Sequence, residues 1–202
     1  MRQTPPSPST PWYRAAPVRL HDYDPGWPAL YADDAKLLTD ALAPDLVAIE
    51  HIGSTSVPGM AAKPVIDIIA AVADYGRFPS LVQRLGSVGY VYTPESEADD
   101  PDRRVFRKGP EDISQLRTHH LHLTTRGSRY WHRMIAFRDH LRRYPEDAAA
   151  YVDLKRGLAA THAADPAAYT AAKHDFVAAI EEKADPRRAH SSLVCPACVD
   201  RL

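Results

Sequence analysis

Three groups of residues in this chain have the types and spacing to do chemistry. The first is Gly53-Ser54-Thr55-Ser56, followed about a dozen residues beyond the Gly-Ser pair by Asp67, the one acid in the apolar run PVIDIIAAV. Glycine lets backbone approach a ligand closely. Ser54, Thr55 and Ser56 offer hydroxyls and backbone N–H groups at a helix start, where anions are favoured. Asp67 is suited to hold a Mg2+ ion that neutralises the same phosphates, and Lys63 adds a point charge. A capped turn with an edge acid paired to an arginine has the same spacing, so spacing alone leaves both readings open.

The second group is RTHHLHL. On a strand, His120 and His122 share one face and His119 takes the other. Beside the Asp67 strand, the pair could ligate a metal, act as general base or donate to a phosphate; otherwise such histidines bond backbone carbonyls in a half-buried strand. His51, next to the Gly-Ser loop, reads as a structural strand-end residue. The third group is basic. From Arg103 to Arg143 there are eleven Lys or Arg and three Asp or Glu, an excess suited to a polyanionic ligand. Arg104, Arg107 and Arg117 are placed to meet phosphates bidentately, whereas Arg133, Arg142 and Arg143 read as a solvated helix face. Aromatics are not interleaved for base stacking, so no nucleic-acid surface is expected. Tyr151 and Lys155 lie four apart on one helix face, as do Tyr169 and Lys173. Tyr151, Lys155 and Lys173 either close a pocket from above or make ordinary exposed contacts. Cys195-x-x-Cys198 is half a zinc site with only His190 nearby, and structural zinc takes four protein ligands; no zinc is expected.

These residues need elements to position them. Helical spacing covers 26–42 and 77–89, strand patterns cover 45–53, 64–72 and 118–125, and 90–94 and 103–109 read as short strands. From Ser128, a candidate cap, the pattern is helical over 128–144, 146–161 and 166–184. Mixed β and α first and helices late predict an α+β domain. Residues 1–17 carry five prolines and read as a disordered lead-in; 18–184 read as one domain and 185–202 as a tail. With 45% apolar and 25% charged residues and a net charge of −1, composition is ordinary and points to neither nucleic acid nor membrane. No apolar run reaches the roughly 18 residues of a membrane span, and the N-terminus lacks a signal-peptide h-region. A cytoplasmic location is expected. Oligomeric state is not encoded in any of these features.

The segment HIGSTSVPGMAAKPVIDII resembles the signature of the GrpB-like family, a bacterial group placed with the nucleotidyltransferase superfamily. The resemblance extends through VRLHDYDPGWPALYADDAKLL, RRVFRKG, RTHHLHL, FRDHLRRYPEDAAAYVDLKRGLA and AYTAAKHDFV. It implies a small mixed sheet flanked by helices, with the active site at the Gly-Ser loop. The superfamily pattern continues with Asp-x-Asp or Asp-x-Glu and a third acid from a later strand. Here the second position is Ile69, and HHLHL offers histidines. A two-metal mechanism needs acids that clamp ions about 3.5–4 Å apart, so one metal held by Asp67 with Glu50 or His122 is the expectation. The implied activity is Mg2+-dependent nucleotidyl or phosphoryl transfer from ATP or another nucleoside triphosphate to a small polar acceptor. Two alternatives stand beside it: a non-catalytic nucleotide-binding or partner-supporting module, and a small-molecule tailoring enzyme that reuses the cleft without a nucleotide.

Overall fold

A five-stranded mixed sheet forms the middle layer of the computed structural model, which describes residues 17–94, 97, 100, 102–109 and 117–184. In chain order the elements are α1 (Trp27–Leu42), β1 (Leu46–Ile52), a single 3-10 turn (Ser54–Ser56), β2 (Ile66–Val72), α2 (Phe78–Ser87), β3 (Val91–Tyr92) and β4 (Arg103–Lys108). They continue with β5 (His119–Thr125), α3 (Arg129–Arg143), α4 (Pro145–Thr161), α5 (Pro166–Ala171) and α6 (His174–Ala184). The sheet order is β1-β2-β5-β4-β3, with β2 and β5 parallel and the other neighbours antiparallel. This is the α+β architecture expected from the sequence. The strand β2 is apolar throughout except at Asp67, as a central strand covered on both faces must be. The Ser128 hydroxyl caps α3 by accepting from Trp131 N at 3.0 Å.

Register places the chemistry. Asp67 pairs with Ile52 on β1 and His120 on β5, Ile69 pairs with Glu50 and His122, and Arg107 on β4 pairs with His120. Residues paired across strands share a face. Asp67, Ile69, His120, His122 and Arg107 therefore all lie on the face that α3 covers. There Ile52, Ile69 and Tyr130 form a cluster with Trp131, Met134 and Ile135. The opposite face carries Ile66, Ile68, Phe106, Leu121 and Leu123 and is closed by α1 and α2 through Leu38, Leu42, Leu81 and Leu85. A third cluster, Val57, Met60, Leu141, Tyr151 and Ile180, ties α4 and α6 to the chain after the 3-10 turn.

One element differs from expectation. The helix expected over 166–184 is two helices, broken at Ala172–Lys173. Alanine-rich sequence carries no breaker there, and α6 beyond the break packs on α3. The lead-in up to residue 16, the tail from 185, and with it Cys195, Cys198 and His190, lie outside the described residues. Among the described residues no helix is long and apolar enough to cross a membrane.

Candidate functional site

The turn after β1, the starts of β2 and β5 and the helices α3 to α5 surround a cavity of about 240 Å3, lined by Gly53, Ser54, Asp67, His120, Lys63, Lys155 and Lys173 with Phe137, Tyr151 and Tyr169. Gly53 is fixed by two constraints. Its φ is +70°, and a Cβ at this position would stand 2.4 Å from Asp67 Oδ2. Only glycine adopts that backbone readily and leaves the carboxylate its place. The Gly-Ser pair and an acid a dozen residues away are thus one unit, joined by the Ile52–Asp67 pairing. Within the turn, Ser56 Oγ donates to Gly53 O at 2.6 Å, and Thr55 Oγ1 donates to Val65 O at 3.3 Å. Arg142 donates through Nε and Nη2 to Ser56 O at 3.0 and 2.8 Å. Ser54 Oγ faces the cavity and accepts from Lys155 Nζ at 3.0 Å.

Asp67 is held by imidazoles. His120 Nδ1 lies 3.1 Å from Asp67 Oδ1, and His122 Nε2 lies 3.9 Å from the same oxygen. Tyr130 OH meets His122 Nδ1 at 2.9 Å and accepts from Arg103 Nη1 at 3.3 Å. Since Asp67 Oδ1 can only accept as a carboxylate, the His120 proton sits on Nδ1. Burial alone would raise the Asp67 pKa, but the hydrogen bonds and charge of His120 and His122 outweigh it and hold the carboxyl well below the usual carboxylate range. Burial lowers the His120 pKa against the pull of Asp67. At neutral pH the pair is an anion and a neutral imidazole whose Nε2 has no hydrogen-bond partner.

The remaining polar lining is cationic. Burial, then the charges of Lys173 and Arg156, bring the Lys155 pKa down to about 7. Burial and then Lys63 bring Lys173 down to about 8. Burial also lowers Lys63, with Arg117 and Arg107 adding positive field. Lys63 and Lys173 lie 5.5 and 4.5 Å from the centre of the Tyr169 ring, and Lys155 lies 4.7 Å from that of Tyr151, contacts that partly offset the burial of charge. Three lysines thus share the cavity with one carboxylate, and Arg107 and Arg117 add positive field at Lys63, an arrangement that attracts anions.

Several expected positions fall elsewhere. Arg104 lies on the opposite face: strand alternation turns it to α2, where it stacks on Tyr75 and Phe78 at 4.9 and 5.8 Å and approaches Glu97. Glu50 shares the Asp67 face but accepts from Arg138 Nη1 at 2.7 Å and is 45% exposed; it is bound to α3. Thr55 and Ser56 spend their hydroxyls on the turn. His51 stacks on Tyr31 and bonds Thr55; burial takes its pKa down to about 4. Ile69 is fully buried under α3, so the place of the missing acid is apolar core. Arg142, expected on a solvated face, pins the turn instead. Phe137 lines the cavity, Tyr130 bonds His122 and Arg138 holds Glu50, roles that no motif in the sequence marks. The available signal is spacing alone: Arg138 and Arg142 lie four apart on α3.

Mg2+ takes oxygen donors in octahedral array, commonly one or two carboxylates with substrate phosphates. This cavity offers one carboxylate, already engaged by an imidazole N–H, among lysines. Asp67, His120 and His122 meet, but among the described residues no group of three His, Cys, Asp or Glu is arranged to hold a metal ion. The donor set does not fit Mg2+.

Residues 17–183 match the family model described as GrpB protein. The UPF0157 protein SCO7215 of Streptomyces coelicolor is 38% identical over 174 residues, 86% of this chain and 88% of that protein. A dephospho-CoA kinase of Mycolicibacterium paratuberculosis is 30% identical over 187 residues, 83% of this chain and 46% of that protein. The crystal structure of the conserved protein GrpB from Enterococcus faecalis superposes with a TM-score of 0.75 at 34% identity, covering 85% of this chain and 99% of that one.

Proposed function

Because this chain belongs to the GrpB family, we propose that its cavity takes the phosphate end of a nucleoside triphosphate or other phosphorylated small molecule. It transfers a phosphoryl or nucleotidyl group to a small polar acceptor. The observation that carries this reading is the meeting of a Gly-Ser turn, an Asp67–His120 pair and the cations Lys63, Lys155 and Lys173 in one cavity. Lys63 and Lys173, with the field of Arg107 and Arg117, hold and neutralise the phosphate. Asp67 fixes His120 with its proton on Nδ1, so the Nε2 lone pair accepts a proton from the acceptor. Phe137, Tyr151 and Tyr169 exclude water. Charge is neutralised by side chains, and no step runs through a metal. At about 240 Å3 the cavity is smaller than the roughly 300–1,000 Å3 of drug-sized sites. That size suits a phosphate end or a compact metabolite, with any nucleoside left outside.

Calorimetry with ATP, with and without Mg2+, followed by phosphorus NMR against small amines and alcohols, tests this. Dephospho-CoA joins the first ligands because a similar protein carries the name dephospho-CoA kinase. Tight binding and a new phosphorus signal that vanishes in Asp67→Asn are expected. Binding without product leaves a nucleotide-binding module and sinks transfer; neither binding nor product sinks the reading.

A further inference from the structure

The turn after β1 carries three hydroxyls, and two are committed. Ser56 Oγ donates to Gly53 O and Thr55 Oγ1 to Val65 O. Ser54 Oγ alone meets an amine in the cavity: Lys155 Nζ, at 3.0 Å. Lys155 is 2% exposed and donates its other hydrogen bond to Ala61 O at 2.6 Å. No carboxylate pairs with it in the ion pairs formed among the described residues. A lysine so placed lacks the counter-ion that would keep it charged, and burial is the usual way proteins make a lysine a base. Hydroxyl and buried base within hydrogen-bond reach are the signature of an activated serine. The two other lysines, Lys63 and Lys173, share the cavity and supply positive charge for the oxygens of a reacting centre.

We propose that Ser54 and Lys155 are a nucleophile–base pair, and that the transferred phosphoryl group passes through a covalent Ser54 ester. This deepens the transfer reading and rests on it for the group transferred. In the first step Ser54 Oγ attacks phosphorus, the Oγ–P bond forms, and the bond from phosphorus to the leaving oxygen breaks. The Ser54 proton goes to Lys155 Nζ, and the leaving group departs as its anion. In the second step the acceptor attacks phosphorus and gives its proton to His120 Nε2. The Oγ–P bond then breaks, and Ser54 takes its proton back from Lys155. His120 later releases its proton to solvent.

The test treats the full chain with an alkyl fluorophosphonate, whose P–F bond breaks as Oγ–P forms. Intact mass and peptide mapping read the product. A single adduct on Ser54 is expected, formed faster as pH rises through about 7, where Lys155 loses its proton. Lys155→Met and Lys155→Arg both slow labelling by about 100-fold, the lower range of general-base catalysis, because neither accepts a proton. An unlabelled Ser54 in the folded chain overturns the pair, as does labelling at another hydroxyl or Lys155→Arg that labels at the native rate. Should either variant fail to melt cooperatively, the native profile decides: a rate flat between about pH 6 and 8 overturns the pair. Adduct formation without ATP binding upholds the pair and removes the nucleotide. Turnover that survives Ser54→Ala removes the covalent route and leaves transfer standing.

Discussion

The two faces of the sheet treat polar groups in opposite ways. Under α1 and α2, the charged groups are paired over an apolar core: Asp34 is buried but accepts from Tyr90 OH and Lys108 Nζ, and Arg104 approaches Glu97. Under α3 to α6, the face is sealed around Ile69 and opens at Asp67 into a cavity where cations crowd one carboxylate. Adjacent residues mark the contrast. His119 lies within the field of Asp34 and Lys108, while His120 bonds Asp67. On the first face charge is matched and serves stability. On the second, like charges are held close at a cost in stability, which a bound anion would relieve.

Ile69→Asp places a carboxylate in the sealed part of the α3 face, and we expect a loss of about 3–5 kcal/mol, as for other uncompensated buried charges, read by urea unfolding. A stable variant that gains affinity for divalent cations would mean that position 69 belongs to the cavity. Next comes Leu121→Ala, fully buried on the opposite face. It should cost about 3 kcal/mol while ligand affinity, measured by calorimetry under native conditions, stays put; a parallel loss of affinity would join the two faces.

Gly53→Ala forces a Cβ against Asp67 and a side chain into a positive φ. We expect about 1–3 kcal/mol of destabilisation together with loss of ligand binding, and unaltered binding would detach the glycine from the carboxylate. Lys155→Met sharpens the contrast through pH. Unfolded, Lys155 keeps its proton to its ordinary value of 10.5; folded, only to about 7. Between these values unfolding takes up a proton, so stability rises with pH, by at most about 1.4 kcal/mol per unit from this group. The penalty is complete below pH 7 and relieved above it. The variant should be more stable than the native chain at neutral pH and show a shallower rise toward pH 10. Lys173 and Lys63 contribute in the same sense and keep part of the slope. Equal slopes in thermal melts across that range would show that Lys155 is not held against its charge.

Much of this was readable in the residues alone. Alternation in HHLHL put His120 and His122 on one face, the apolar run around Asp67 announced a covered strand, and the Gly-Ser spacing tied both to a turn. The α+β class and the family followed from the same segments. Periodicity, however, gives faces only within one element. Alternation separates Arg104 from Arg107, yet the register of β4 on β5 decides that Arg107 shares the Asp67 face and Arg104 stacks on α2. Glu50 has the right face for a metal ligand, and only the docking of α3 gives it to Arg138. Lys63, Lys155 and Lys173 are more than a hundred residues apart at the extremes. Burial, which depends on every element at once, gathers them and sets their charge. Local chemistry is written in spacing, whereas partners and protonation belong to the packed chain.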